Sequence, residues 1–211
     1  MEWYNHWKLK QFNKSYFKNE AIYYLWGIPY RLIRRKGENY IITENENLIF
    51  STSPHNSQKE DINILLSWFE DLLLNEINKM KDQIEEKVGQ KANNYYVKKI
   101  YWDHQVSNKL GICYLKKRVI EIDRRHTAFR KEVLESTLTH EILHLKIPEH
   151  TKEFFSLLEK YCPYNWAAGL CLGFNNPDFR YYNYLVEKKE KEFEYDFKEY
   201  CNIYNIKKEI L

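Results

Sequence analysis

The patterning of the sequence agrees with an α+β chain. Three observations carry this: two strand-and-turn patterns within residues 21–50, an apolar period of three and four residues from Ile62 to Ile84, and a second run of strands then helices over 97–161. Hydrophobic residues make up 44% of the 211 and aromatics 17%, enough to build a core and to exclude disorder as the chain's general state. Lys and Arg outnumber Asp and Glu by only 33 to 30, a bias too small to imply nucleic acid by itself. Mean hydropathy is −0.71. No apolar run approaches the ~20 residues of a membrane span, and the first residues lack an apolar signal core, so no membrane is expected. Cys113, Cys162, Cys171 and Cys201 form no CxxC pair. They read as free thiols in a reducing cytoplasm. Lys, Asn, Ile, Tyr and Phe are plentiful beside 6 Gly and 5 Pro. AT-rich codons produce that excess, which discounts Lys and Tyr as functional signals.

Residues 1–20 are aromatic and basic and read as an arm or short helix. Strands at 22–26 and 30–33 flank Gly27-Ile28-Pro29, and strands at 40–42 and 48–50 flank Glu44-Asn45-Glu46-Asn47; both patterns fit hairpins. Ser57-Gln58-Lys59-Glu60 is a capping-box pattern. Beyond it Ile62, Leu65, Leu66, Phe69, Leu72, Leu73, Ile77, Met80 and Ile84 mark a long core-packing helix that ends near Gly89. Segments 97–102 and 112–123 read as strands, the second folding over Lys116-Lys117-Arg118. A helix is expected from about 127 to 146, stopped by Pro148, and a shorter one from Thr151 carrying Phe154, Phe155, Leu157 and Leu158. A loop at 162–174 and a last helix at about 178–204 follow. In that helix Phe193, Phe197, Tyr200 and Tyr204 form the apolar stripe, and 187–192 the solvated face.

The chemistry concentrates in His140-Glu141-Ile142-Leu143-His144-Leu145-Lys146-Ile147-Pro148-Glu149-His150. At 100° per residue, His140 and His144 stand about 40° apart on one helical face, one turn from each other. Two imidazoles so placed can hold one zinc, and Glu141 sits beside them, offset enough to take a proton from water instead of ligating. Leu134, Leu138, Ile142 and Leu145 line the opposite, apolar face. Pro148 turns the chain, so His150 falls where it can reach back. Three protein ligands and one open position define a catalytic zinc site. By chance HExxH arises in about 3 chains in 100 of this length and composition, and with the third His in about 1 in 1,000, which makes the eleven residues a site to weigh. His6 and His55 read as surface residues. His104 and His126 flank strand ends and are candidates to face the cleft, and His104, Tyr161 and Tyr164 are candidate oxyanion stabilisers by proximity alone.

Metzincins share this spacing but place Gly where Ile147 stands, and they need a methionine after the motif; Met1 and Met80 both precede it. Thermolysin-like enzymes take a Glu from a later helix, for which Glu159 or Glu187 would serve, though His150 is the simpler choice. Zinc ribonucleases of the YbeY type have Gly in place of Glu141, and the Glu favours water activation for peptide hydrolysis.

Thr139-His140-Glu141-Ile142-Leu143-His144-Leu145, then Pro148-Glu149-His150-Thr151 and Phe154-Phe155, resembles the YgjP-like metallopeptidases, a family related to SprT-like and WLM zincins. Lys109-Leu110-Gly111-Ile112-Cys113, followed by Val119-Ile120-Glu121-Ile122, resembles that family's R-W-G-S-C segment and its next strand. Leu110 stands for Trp and Ile112 for Ser. Gly27-Ile28-Pro29-Tyr30-Arg31-Leu32 resembles its N-terminal strand. The resemblance implies a minimal zincin-like α+β domain over 21–166, with a small twisted sheet packed on an active-site helix. Within it 21–122 holds mainly strands plus one long helix, and 127–161 the metal-site helices; 1–20 is then an arm and 167–211 a C-terminal helical extension. It further implies Zn2+ held by His140, His144 and His150, Glu141 as general base, and a peptide or protein substrate whose strand pairs with a sheet edge within 112–123. SprT-like relatives act on proteins crosslinked to DNA. The stretches Arg31-Leu32-Ile33-Arg34-Arg35-Lys36, Lys116-Lys117-Arg118 and Arg124-Arg125, with Tyr95, Tyr96, Tyr101 and Trp102, therefore keep a nucleic-acid-associated protease as an alternative. A non-catalytic metal-binding or partner-binding module on the same scaffold is the third reading.

Overall fold

Two tight turns start the fold. In the computed structural model, which describes residues 10–12, 14–98, 110–163 and 165, strands β1 (Ile22–Leu25) and β2 (Ile28–Lys36) pair antiparallel across Trp26-Gly27. Strands β3 (Tyr40–Glu44) and β4 (Asn47–Thr52) do the same across Asn45-Glu46. All four turn residues have positive φ, from 45° to 83°. That conformation matches the right-handed twist of the flanking strands in two-residue hairpins. Both expected hairpins are present. The order in which they join is new: β1-β2-β4-β3, with β4 between β2 and β3 and parallel to β2 from Arg31↔Asn47 to Lys36↔Thr52. Paired on both sides, β4 carries Leu48 and Phe50 fully buried. At the other end, the buried Gln11 side chain brackets Tyr24: its Nε2 donates to the Tyr24 carbonyl and its Oε1 accepts the Tyr24 N–H. The amide thus covers part of an edge strand's exposed backbone.

Helix α1 (Gln58–Val88) begins where the capping box predicts. Ser57 Oγ accepts from the Glu60 N–H, and the Glu60 carboxylate accepts from the Ser57 N–H at 2.7 Å. It ends at Gly89, whose φ of 71° suits a left-handed cap and whose N–H donates to the Glu85 carbonyl. At 1.5 Å per residue the helix is about 46 Å long, and its two halves serve different cores. Ile62, Leu65, Leu66 and Phe69 pack with Tyr23, Leu25, Leu32 and Phe50 of the first sheet. Leu73, Ile77, Ile84 and Val88 are buried further along, where α1 lies against β5 and α2. Asp61 pins the helix to β2 through Lys36 at 3.1 Å and Arg34 at 3.4 Å.

The second sheet has the order β5-β7-β6, from β5 (Asn94–Lys98), β6 (Gly111–Tyr114) and β7 (Val119–Asp123). β6 and β7 form the expected hairpin, through a 3-10 turn at Leu115–Lys117 and Arg118 in the left-handed region. β5 runs parallel to β7.

Helix α2 (Lys131–His144) is shorter than the period predicts. Residues Arg124–Ala128 form a 3-10 turn instead, because the Asp123 carboxylate accepts the Arg125 N–H and starts a separate turn. Phe129 and Arg130 are then extended, with Phe129 buried. At its C-terminal end the helix stops at His144, two residues short of the expected Lys146, and a turn at Leu145-Lys146 follows ahead of Pro148. Proline supplies no N–H and pushes the residue before it out of helical conformation. Helix α3 (Lys152–Tyr161) starts on the Thr151 cap as expected. The N-terminal hairpin reaches the turn that leads into α2: the Trp26 N–H donates to the Thr127 carbonyl at 2.7 Å. A Cβ on Gly27 would stand 2.8 Å from Arg130 Cγ. Among the described residues no helix is long and apolar enough to cross a membrane. Residues 1–9, strand positions 99–102, most of the loop 162–174 and the helix at 178–204 lie outside the described residues.

Candidate metal centre

The last turn of α2 and the loop after it bring three imidazoles to one point. His140 and His144 share a face of α2, and the turn at Leu145-Lys146 followed by Pro148 brings His150 back over them. Nε2 of His140 lies 3.1 Å from Nε2 of His144 and 2.9 Å from Nε2 of His150. Three nitrogens bound to one tetrahedral zinc at about 2.0–2.1 Å would be ~3.3 Å apart; these two separations are close to that, and all three donor atoms lie within 4.8 Å of one another. Among the described residues His140, His144 and His150 are the group able to hold a metal, and Glu159 is not part of it. Glu187 lies outside the described residues.

Helix α3 supplies the floor. Thr151 Oγ1 accepts the Phe154 N–H, which starts the helix so that the fully buried Phe154 ring packs under all three imidazoles, at 4.6–5.0 Å between centroids. Phe155 stacks on His150. Sequence reasoning placed both phenylalanines on the apolar face of α3 without giving either a part in the site. The Ile147 carbonyl is a second addition. It faces His144 Nδ1 at 3.2 Å, and a carbonyl only accepts, so Nδ1 carries the proton and Nε2 presents its lone pair. Burial in this packing lowers the basicity of all three rings. His140 is pushed well below the ordinary histidine value by burial and by its two neighbours. His144 is pushed to about 4 by burial and then by His150, and His150 is lowered by burial. Neutral imidazoles with converging lone pairs are the donor chemistry a zinc-like cation needs.

Glu141 follows His140 in α2, is buried, and faces β6. A Cβ built on Gly111 would lie 2.6 Å from Glu141 Oε1, 2.8 Å from Cγ and 2.9 Å from Cδ. Two residues along β6 the Cys113 thiol is pushed up to about 11, by burial and by the Glu141 carboxylate. Leu134, Leu138 and Ile142 are fully buried on the core side of α2.

Other candidates end elsewhere. His126 is fully buried, its Nδ1 donating to the Asp123 carbonyl and its Nε2 meeting the Thr137 hydroxyl at 2.9 Å. It is a core residue and not part of a cleft. Tyr161 closes α3, while His6, His104 and Tyr164 lie outside the described residues; His55 is exposed. In the segment 112–123, β7 is central and paired on both sides, so an edge for a further strand remains only on β6 among the described strands. Arg124 and Arg125 are buried and paired with Glu70 at 2.9 Å and Asp123 at 2.7 Å, which removes them from any basic surface. Tyr95 is buried on Glu85, and Tyr101 and Trp102 lie outside the described residues.

Two histidines of α2 and one from the loop after it form a group that could hold a metal, with a buried carboxylate one residue after the first, an arrangement of the kind used by metal-dependent hydrolases. The family model for the YgjP-like metallopeptidase domain matches residues 2–168, and the chain belongs to that family. No curated protein and no solved structure matches the chain.

Proposed function

We propose that the protein is a zinc-dependent peptidase in which His140, His144 and His150 hold Zn2+ and Glu141 moves the protons. The observation that carries this is the convergence of three neutral imidazoles beside a buried carboxylate. A bound Zn2+ supplies Lewis acidity, which polarises a peptide carbonyl and makes a water molecule easier to deprotonate. Glu141 accepts the proton of the attacking water as its oxygen adds to the carbonyl carbon. The Glu141 carboxyl then returns that proton to the amide nitrogen as the C–N bond breaks, and an amine and a carboxylic acid leave, the acid's proton passing to the amine. The Ile147 carbonyl and Phe154 hold the rings in register while this happens. The substrate is a peptide or protein, and the setting cytoplasmic.

Glu141→Gln tests the reading. The variant keeps its size and lacks the base, so it should retain about one zinc per chain by mass spectrometry and hydrolyse labelled casein roughly 10²- to 10⁴-fold more slowly. Undiminished hydrolysis overturns the general-base assignment. A parent protein that takes up no zinc overturns the metal site.

A further inference from the structure

We propose that Gly111 is a positioning residue for Glu141: β6 passes so close to α2 at this point that its backbone forms the wall against which the Glu141 side chain is held. The proposal rests on Glu141 being the base. Gly111 does not have a positive φ, so its backbone conformation is open to any L residue. What excludes a side chain is the neighbour. The three atoms that an added Cβ would meet at 2.6–2.9 Å are Oε1, Cγ and Cδ of Glu141. The contact therefore runs along the arm of the side chain. Swinging the terminal carboxylate alone leaves Cγ in conflict, and relief requires a different χ1, which carries the carboxylate away from its present place.

Both backbones are tied into the fold. Gly111 pairs with Ile122 of β7, and the Asp123 N–H donates to the Leu110 carbonyl at 2.9 Å, so the strand is fixed on both sides of the glycine. The β7 side chains Ile120 and Ile122 are fully buried, as are Leu138 and Ile142 of α2. A methyl group at position 111 would therefore have to displace the Glu141 side chain. Of the segment Leu110-Gly111-Ile112-Cys113, the glycine is the member whose lack of a side chain the site uses.

The experiment combines Gly111→Ala with Glu141→Ala in a four-protein cycle, together with the single variant Glu141→Gln. Gly111→Ala should keep the zinc content of the parent, because no ligand moves. It should lose about 10²-fold in kcat on labelled casein with KM little changed, the scale expected when a reacting group is displaced by about 1 Å. Its thermal midpoint should fall by roughly 2–6 °C in the parent background. In the Glu141→Ala background the same change should be neutral or raise the midpoint, since Ala for Gly in an open strand position costs nothing in contacts and restricts the unfolded chain. An equal midpoint change in both backgrounds, or Gly111→Ala hydrolysing casein at the parent rate, overturns the proposal. The two readings fail separately: full activity in Glu141→Gln removes the base, whereas an additive cycle removes the contact and leaves the base in place.

Discussion

At His144 a single hydrogen bond determines what the ring can do. Its Nδ1–H is taken by the Ile147 carbonyl, so Nε2 is left as a base directed at the other two rings. His150 comes from the loop beyond Pro148 and is the one member of the cluster not carried by α2. Replacing it with Ala should leave the fold and two donors intact but weaken zinc binding by more than the roughly 10- to 100-fold that loss of an outer-shell partner costs. Competition with a zinc-binding dye reads this directly, and unchanged affinity would assign the third ligand to another residue. The convergence of these three rings was legible in the sequence because helical period and a proline turn are local facts. The approach of Gly111 to Glu141 was not. It joins positions thirty residues apart through the pairing of β6 with β7, and no pattern within either segment reports it.

Among elements, α1 shows which signals travel well from sequence to structure. Ser57, Glu60 and Gly89 mark its ends because each acts on backbone within its own turn. The start of α2 was misplaced because the apolar period runs on through Thr127, whereas Asp123 binds the Arg125 N–H and sets up a competing turn. The parallel pairing of β2 with β4 was likewise hidden, since hairpin signals say which strands are joined and not which lie side by side. Gly89 supports a prediction at this scale. Its side has nothing within 4 Å of an added Cβ, so Gly89→Ala introduces no clash and tests conformation alone. With φ at 71° the substitution should destabilise by about 1 kcal/mol, read as a lower midpoint in urea with an unchanged slope. No change in the midpoint would mean that the cap relaxes freely.

For the molecule as a whole, acid is the condition to which the interior is sensitive. Burial pushes the fully enclosed His126 to about 4, against an ordinary value of 6.5. Above 6.5 the ring is neutral in both folded and unfolded chains and has no effect on their balance. As pH falls from 6.5 towards 4 the unfolded chain takes up a proton that the folded one refuses, so stability declines through that window, by at most about 3 kcal/mol for this group. Urea midpoints measured from pH 7.5 to 4 should fall less steeply in His126→Gln than in the parent, the remaining slope coming from the other buried histidines. Parallel curves would assign the acid sensitivity to other groups.

The bond from the Trp26 N–H to the Thr127 carbonyl has a further consequence. It fastens the turn of the first hairpin to the residues that lead into α2, so the first sheet cannot lift away without releasing the segment just ahead of the helix that carries His140, Glu141 and His144. Opening at one end is thereby felt at the other as a shared protection against solvent. The Trp26 amide, which belongs to no element of the cluster, becomes its remote gauge: hydrogen exchange at that one proton should slow when zinc is added, and by a factor that tracks how tightly the distant histidines are held.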